Sequence, residues 1–314
     1  MNRKEYTLRC IDYKKGTGLE LGPLYSPILL KEESKVYYVD HMSTNDLKEK
    51  YKDEPVPLHE IVAVDYSLGD KTLKNTFDKK KFDYVIASHV VEHIPDIVRW
   101  FQDIAFVLKP GGKLSLVIPD KRYTFDIKRN ISRPADIMGA YLDKYTRTSS
   151  AQMFEYAMEI RDKIDPQYVW NNPYEDYSAK PFYYSRNIAY VKCLDNVKPD
   201  IYVDAHCNVF TPYSFIEILR CLIEYNIFDY EILDFVDTPK DRLEFYVTLK
   251  KMNRPNKAKQ MKSLPLIKKD LEKWQIEREN YLLHEKINML ETSSSWKITK
   301  PLREIKSSIK KLFF

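Results

Sequence analysis

Glycine is scarce in this 314-residue chain, which has seven glycines against 24 tyrosines. This shortage excludes collagenous and glycine-rich low-complexity proteins. The four cysteines form no C-x-x-C pair and no regular framework, so a reducing compartment is the simpler expectation. Hydrophobic residues make up 44% of the chain, an ordinary fraction for a globular core. These features predict a folded protein that needs no structural disulfide.

Long apolar segments are also missing. The basic N-terminus, MNRKEYTLRC, is not followed by the apolar region of a secretory signal. No window approaches the roughly 18 uncharged apolar residues that a membrane-spanning helix needs. The expected location is the cytoplasm, with the protein either soluble or peripheral at the inner face of the membrane.

Charge is distributed unevenly along the chain. Residues 1–249 carry 34 lysines and arginines against 39 acidic residues, whereas residues 250–314 carry 17 against seven. A basic segment is suited to an anionic surface such as phospholipid or nucleic acid, and a solvated charged helix has the same composition. The body and the tail of the chain are therefore expected to have different roles.

The tail divides into a linker and a helical part. Residues 251–265 are basic and interrupted by proline, which is typical of a linker. Residues 266–314 are predicted to be helical and end in SSSWKITKPLREIKSSIKKLFF, a short basic amphipathic helix with one apolar face, formed by Leu302, Ile305, Ile309 and Leu312 or Phe313. Such a helix is suited to lie on an anionic membrane. Dimerisation or packing onto the body would use the same face.

The body, residues 1–250, alternates strand-like apolar runs with segments of helical period. This pattern predicts an α/β domain with a doubly wound, seven-stranded and mostly parallel sheet. The strands are predicted at 17–22, 35–40, 60–65, 82–87, 112–118, 229–236 and 242–250. No helix separates the last two strands, so they are expected to form an antiparallel hairpin at the edge of the sheet. The clearest helices are predicted at 96–108 and from Thr211 to about Tyr225.

The alternation fails between residues 119 and 205, a distance far beyond an ordinary connection. This segment is predicted to be an inserted helical lid or substrate subdomain. It holds eleven of the tyrosines. Tyrosine offers an apolar face and a hydroxyl, which suits stacking on sugars or bases, although a small lid packed with aromatic residues has the same composition.

Polar residues follow four of the predicted strands. In a doubly wound sheet, ligands bind beyond the carboxyl ends of the strands. The candidate residues at those ends are Glu20 and Gly22, Asp40, Asp65, and Ser88 with His89. A carboxylate at the end of the second strand, about 20 residues after the first, is placed for the hydroxyls of a ribose.

These motifs resemble the class I S-adenosylmethionine-dependent methyltransferases over about residues 15–250. The resemblance also rests on FDYVIASHVVEHI and LKPGGKLSLVIPD. The glycine-rich G-x-G-x-G loop of that family is reduced here to Gly22 in GPLYSP, which makes the loop stiffer. The loss argues against a nicotinamide enzyme, which needs glycines for close approach to a pyrophosphate, whereas S-adenosylmethionine has no phosphate.

The resemblance implies a role for each residue at the strand ends. Glu20 and Gly22 would flank the methionine moiety of the cofactor, and Asp40 would bind its ribose. Asp65 would bind the adenine amine. The transferred methyl group would lie at Ser88 or His89.

Several segments are similar to a methyltransferase subgroup associated with bacterial surface-polysaccharide biosynthesis, namely GLELGPLYSPIL, YYVDHMSTNDLKEKY, IPDKRYTFD and H-x-x-x-F-T-P-x-S-F. The tail segment SSSWKITKPLR resembles one that recurs in glycosyltransferases and methyltransferases of the same gene clusters. This similarity implies a sugar hydroxyl of a surface glycan or its precursor as the acceptor, and a glycosyltransferase as a partner. Two other functions stay open, a catalytically silent scaffold of a polysaccharide assembly complex and an RNA ribose O-methyltransferase. The acidic body argues against a nucleic-acid partner.

The motif His89-x-x-Glu92-His93 raises the question of a metal site. On a continuous helix it would resemble an inverted zinc protease, but Pro95 disfavours helix at the preceding residue. Small-RNA 2′-O-methyltransferases and ubiquinone-pathway O-methyltransferases resemble this stretch, with E-x-x-E-H after the fourth strand. That resemblance implies His89, Glu92, His93 and His206 as ligands, a set that suits Zn²⁺, Mn²⁺ or Fe²⁺ better than Mg²⁺.

Three roles for these residues stay open from the sequence. A bound cation would lower the pKa of an acceptor hydroxyl. Without a metal, His89 or His206 would act as the catalytic base. In the third case Glu92 and His93 only pack at the entry of the next helix.

Overall fold

A computed structural model describes residues 1–198, 201–266, 280 and 283–299. The chain forms two compact units, one of Met1–Trp170 with Lys180–Ile267 and one of Asn171–Ala179 with Lys268–Phe314. In the second unit, residues 283–292 and Ser294–Ile298 are helical. The predicted membrane-binding face of the tail lies outside the described residues. Among the described helices, none combines the length and apolar character needed to cross a bilayer.

The first unit contains a seven-stranded sheet in the order β3-β2-β1-β4-β5-β7-β6. The strands are β1 (Thr17–Leu21), β2 (Lys35–Asp40), β3 (Tyr66–Ser67), β4 (Phe82–Ser88), β5 (Leu108–Pro119), β6 (Tyr230–Val236) and β7 (Glu244–Lys251). Strands β1 to β5 pair in parallel, and β7 is antiparallel to both of its neighbours. The predicted doubly wound fold and the antiparallel edge hairpin are confirmed.

Nine described helices precede residue 251, and a tenth, α10, lies within the predicted linker. They are α1 (Arg3–Leu8), α2 (Thr44–Lys50), α3 (Leu73–Thr76), α4 (Ile97–Val107), α5 (Pro134–Leu142), α6 (Ser150–Glu159), α7 (Pro166–Asn171), α8 (Arg186–Asn196), α9 (Pro212–Glu224) and α10 (Lys257–Ser263). Helices α5 to α8 occupy the predicted insertion, where α6 packs against α8. The exact limits of that insertion as a subdomain remain a prediction.

Helices α4 and α9 confirm two sequence predictions and complete the core on the sheet. The Asp96 carboxylate caps α4 by accepting a hydrogen bond from the Arg99 amide. Thr211 caps α9, and proline occupies the first helical position, where its missing N–H costs nothing. Phe101 of α4 and Phe215 of α9 are fully buried in one cluster with β4 and β5. This core holds the carboxyl ends of the central strands in place.

The predicted third strand at 60–65 is wrong. The Val62 amide donates to a carbonyl in the loop after β1 (2.8 Å), and the Val64 amide donates to a threonine hydroxyl of α2 (2.9 Å). Because these donors leave the sheet, pairing with β2 begins only at Asp65, and the strand itself is Tyr66–Ser67. Asp65 therefore precedes the strand. The first acidic residue beyond its carboxyl end is Asp70.

Candidate active site

Glu20 organises the loop that follows β1. Its buried carboxyl accepts hydrogen bonds from the amides of Ile28 (2.5 Å) and Leu29 (3.1 Å). At the turn itself, Gly22 has a φ of +59°, and an added Cβ would meet a Val90 methyl at 3.3 Å. Glycine is required there because other residues are strained at positive φ. The structure thus gives Glu20 a role in shaping the loop, in addition to its predicted place beside the cofactor.

The carboxyl of Glu20 makes stability depend on pH. Burial outweighs the two amide hydrogen bonds and raises the pKa of Glu20 to about 7, from an ordinary 4.5. The neutral form is therefore favoured by folding, and this contribution is complete below pH 4.5 and lost as the pH rises through 7. We expect the free energy of unfolding to fall by about 2 kcal/mol between pH 5 and pH 8, relative to a Glu20→Gln variant. The free energy of unfolding is measured with urea at each pH. The same dependence on pH in both proteins would contradict this prediction.

Asp40 ends β2, which lies between β3 and β1, one strand away from the position between β1 and β4 where the strand order reverses. It is 8% exposed, and Oδ1 accepts from the Met42 amide (3.3 Å) and lies 2.7 Å from Nδ1 of His41. Within the described residues, Oδ2 accepts no hydrogen bond and forms no ion pair, so it is free for a ligand. The predicted ribose contact is compatible with this position.

Asp65, unlike Asp40, does not lie at the carboxyl end of a strand. One oxygen accepts from the Tyr38 amide (2.8 Å) and the other pairs with Nζ of Lys31 (2.7 Å). Its carboxylate is thus engaged in the middle of β2, and its predicted contact with adenine remains untested. Asp70, which the sequence prediction missed because the strand was misplaced, is exposed directly after β3.

The histidine motif follows β4, which ends at Ser88. His89 has a φ of +54°, an uncommon value for a residue with a side chain, and a single 3₁₀ turn of Val91–His93 follows. The predicted interruption before Pro95 is confirmed, and α4 starts beyond it. The turn brings the side chains of the motif to the carboxyl end of the sheet.

Glu92 is the centre of this group. It is 1% exposed, and within the described residues neither carboxyl oxygen has a hydrogen-bond partner. One ligand atom each from Glu92, His93 and His206 lie within 4.8 Å of one another. The Nδ1 of His89 lies 3.6 Å from Oε1 of Glu92. All four residues predicted as ligands are therefore brought together.

Each of the three imidazoles is held by a carboxylate from a distant segment. Nδ1 of His93 lies 2.8 Å from Asp204, and Nδ1 of His206 lies 2.6 Å from Asp126. Nε2 of His89 lies 2.8 Å from Glu244 at the start of β7. Nε2 of His93 and of His206 has no hydrogen-bond partner in the part of the chain that the structure describes, and Nδ1 of His89 faces Glu92 at 3.6 Å. This arrangement fixes the orientation of histidines that bind metals.

The carboxylates stay ionised and the imidazole N–H groups donate to them. Burial opposes ionisation, but His206 and Arg129 outweigh it and lower the pKa of Asp126. Burial also opposes ionisation of Asp204, but His93 outweighs it and holds the pKa of Asp204 far below its usual range. For Glu244, burial is outweighed by His89 and Arg3, which lower its pKa to about 2. Burial would lower the pKa of His93, yet Asp204 raises it to about 9.

Sequence analysis missed these three partners. Asp126 and Glu244 are remote from the motif in sequence, and no spacing of residues predicts their contacts with the histidines. Arg129, fully buried, donates to Asp126 at 2.8 Å, and Arg3 of α1 makes a two-pronged contact with Glu244 at 2.7 and 2.6 Å. Asp204 lies two residues before His206, which was the only local signal.

A cavity of about 470 Å³ opens onto the group. Its wall includes His89, Glu92, His93 and His206, together with aromatic side chains of the insertion. A cavity of this size accommodates a small molecule or one end of a larger one. Nitrogen and oxygen donors surround a buried carboxyl that has no hydrogen-bond partner among the described residues, and such a donor set fits a divalent transition metal. The arrangement is therefore suited to activating a hydroxyl.

Comparison with known proteins identifies the family. The family model described as a methyltransferase domain matches residues 9–187, more than half of the chain. Phosphoethanolamine N-methyltransferase 2 of Caenorhabditis elegans is 40% identical over 60 residues, which are 19% of this chain and 14% of that protein. The chain thus matches a small part of that relative.

Two solved structures are similar to this chain at low identity. An S-adenosylmethionine-dependent methyltransferase from Methanosarcina mazei is 15% identical, with coverage of 77% of this chain and 94% of its own and a TM-score of 0.37. One from Clostridium acetobutylicum is 11% identical, with coverage of 81% and 93% and a TM-score of 0.40. On the strength of the family match, the chain belongs to the S-adenosylmethionine-dependent methyltransferases.

Proposed function

We propose that this methyltransferase transfers a methyl group to a sugar hydroxyl of a surface glycan or its precursor, with a divalent cation held by Glu92, His93, His206 and His89. The observation that carries the proposal is the buried carboxyl of Glu92, which has no hydrogen-bond partner among the described residues. A buried polar group without a partner is costly, so a partner in the functional state would explain its presence.

The cofactor, the cation and the residues that hold them have separate roles in the proposed reaction. Bound S-adenosylmethionine supplies an electrophilic methyl group on sulfur. A divalent cation would supply positive charge that lowers the pKa of the acceptor hydroxyl. Asp126 and Asp204 hold Nδ1 of His206 and His93, which leaves Nε2 of each ring to bind the cation. Binding at His93 would displace the Nε2 proton that its raised pKa favours. Zn²⁺, Mn²⁺ or Fe²⁺ suits such nitrogen donors better than Mg²⁺.

His89 and His206 are the candidates for moving the proton. A free ring nitrogen takes the hydroxyl proton while the acceptor oxygen forms a bond to the methyl carbon. The carbon–sulfur bond breaks at the same time, and S-adenosylhomocysteine leaves as a neutral thioether. Glu244 orients the ring of His89, because its carboxylate lies 2.8 Å from Nε2. This role belongs to the protein without a cation, because a bound cation would occupy the ring nitrogen that takes the proton.

The sugar acceptor is supported by the cavity and by the sequence motifs. Tyr123, Phe125 and Tyr183 of the predicted insertion line the cavity, and aromatic faces suit stacking on sugars. A silent scaffold is less well supported, because it would have no use for three carboxylate-backed imidazoles around Glu92. Two further points remain predictions. The tail is predicted to bind an anionic membrane, and a glycosyltransferase is predicted to be a partner of the protein.

Removal of metal tests the proposal. We expect purified protein to contain about one equivalent of zinc, manganese or iron by elemental analysis. Chelation is expected to lower methyl transfer to glycan fragments on the order of 100-fold, because the charge that lowers the hydroxyl pKa is lost. Addition of the metal should restore it. Binding of S-adenosylhomocysteine, measured by calorimetry, serves as the control and should not change.

Two results would decide against parts of the proposal. Full activity in chelator, with no metal in the protein, would leave the histidines as the catalytic base without a cation. Methylation of amines but not of hydroxyl groups in the same acceptor panel would reject O-methyl transfer.

A further inference from the structure

Arg161 lies in the wall of the same cavity with unused donors. It is 5% exposed, and within the described residues its Nε has no hydrogen-bond partner. Nη1 donates to the backbone carbonyl of Glu159 at 2.6 Å, and Nη2 lies 3.5 Å from the carboxylate of the same residue. That carboxylate is 46% exposed, which makes the pairing weak. A guanidinium has five N–H donors, so several remain available.

The backbone holds Arg161 in place beside the histidine group. Its amide donates to the carbonyl of Phe125 at 2.9 Å, immediately before the aspartate that holds His206. The next amide, of Asp162, donates to a carbonyl at residue 181 at 2.9 Å. The centroid of the Phe182 ring lies 4.0 Å from the guanidinium carbon. A buried cation fixed in this way is preorganised for a ligand, since little freedom is lost on binding.

Lys163 adds a second cation to the cavity wall. Its φ is +56°, and the carboxylate of Asp162 accepts from its amide at 2.8 Å. The ammonium group is exposed and, in the part of the chain that the structure describes, forms no ion pair. Glu92 and Asp162 are the acidic residues of the same wall. Glu92 belongs to the candidate metal group, and Asp162 is engaged by the backbone.

We propose that Arg161 and Lys163 bind an anionic substituent of the acceptor, a carboxylate or a phosphate, while the hydroxyl to be methylated reaches the histidine group. The inference rests on the proposed function and narrows its acceptor to acidic or phosphorylated sugars. Arginine offers paired donors to either anion, and lysine supplies a point charge. With a neutral acceptor, the buried Nε of Arg161 would have no anionic partner.

Three matched probes test the proposal, namely glucose, glucuronate and glucose 1-phosphate. Each is titrated by calorimetry, up to about 20 mM, into the full-length protein with and without S-adenosylhomocysteine. We expect at least one charged probe to bind about tenfold more tightly than glucose. Lys163→Gln and Arg161→Gln should each reduce this preference by about fivefold or more. Arg161→Lys, which keeps the charge, should retain part of it.

Lys144→Gln is the matched control, because Lys144 is also exposed, has a φ of +55° and lies outside the cavity wall. It should leave the preference unchanged. If Arg161→Gln impairs folding, Lys163→Gln still decides, since Lys163 is exposed. Preference for glucose 1-phosphate alone assigns a phosphorylated acceptor, and preference for both anions assigns the shared chemistry.

A wild-type protein without preference for either anion overturns the inference, as does a preference that survives both substitutions. The titration without cofactor measures the anion site by itself. Failure of S-adenosylhomocysteine to bind would count against the proposed function and is a separate reading from the anion preference.

Discussion

Glu92→Gln is expected to abolish metal binding and to reduce methyl transfer on the order of 1,000-fold, while the metal-free protein becomes more stable. The glutamine keeps the shape of the side chain but removes the anionic ligand. In the metal-free protein the same change replaces a buried carboxyl that has no hydrogen-bond partner among the described residues, so the free energy of unfolding should rise by about 1 kcal/mol. Elemental analysis, methyl-transfer assays and urea unfolding with chelator measure the three effects.

A loss of metal and activity together with a gain in stability distinguishes a metal ligand from a residue that only packs. A residue that only packs at the helix entry would show unchanged activity, or a loss that follows a loss of stability. Glu231→Gln is the matched control, because this carboxyl is 9% exposed and is paired with Lys250 and Lys259 at the amino end of β6. That variant should keep metal and activity. Native metal content in Glu92→Gln would contradict the assignment.

The sheet could be predicted from the sequence because its strands have strong local patterns. Strands β1, β2, β4 and β6 were placed within a residue of their observed starts, since apolar runs bounded by turn signals leave few alternatives. The third strand failed because 60–65 has the same apolar pattern, yet its amides bond to a loop and to α2. No sequence pattern distinguishes those partners from a neighbouring strand.

The candidate site was predictable in its local part only. The motif of His89, Glu92 and His93 lies within five residues, and a resemblance supplied His206. The carboxylates behind the imidazoles come from segments up to 155 residues away, as in the contact between His89 and Glu244. Such contacts depend on how β7 pairs with β5, which is a property of the whole fold.

The second large effect is expected at the cofactor. Asp40→Ala should weaken binding of S-adenosylhomocysteine about 100-fold, because a buried carboxylate that accepts from two ribose hydroxyls contributes about 3 kcal/mol. The predicted contact is compatible with the position of Asp40, at the end of β2 and with a free Oδ2. Calorimetric titration measures the dissociation constant. Asp40→Asn, which keeps one acceptor oxygen, should lose less.

Asp65 and Asp70 provide the comparison for the adenine contact. Since the carboxylate of Asp65 is already held by Tyr38 and Lys31, Asp65→Ala should lower stability more than it weakens binding. Asp70 is exposed beyond the carboxyl end of β3, so Asp70→Ala should weaken binding about tenfold with little change in stability. A larger binding loss in Asp65→Ala than in Asp70→Ala would return the adenine contact to Asp65. Unchanged binding of S-adenosylhomocysteine by Asp40→Ala would show that Asp40 makes no hydrogen bond to the cofactor. The predicted ribose contact at the end of β2 would then be wrong.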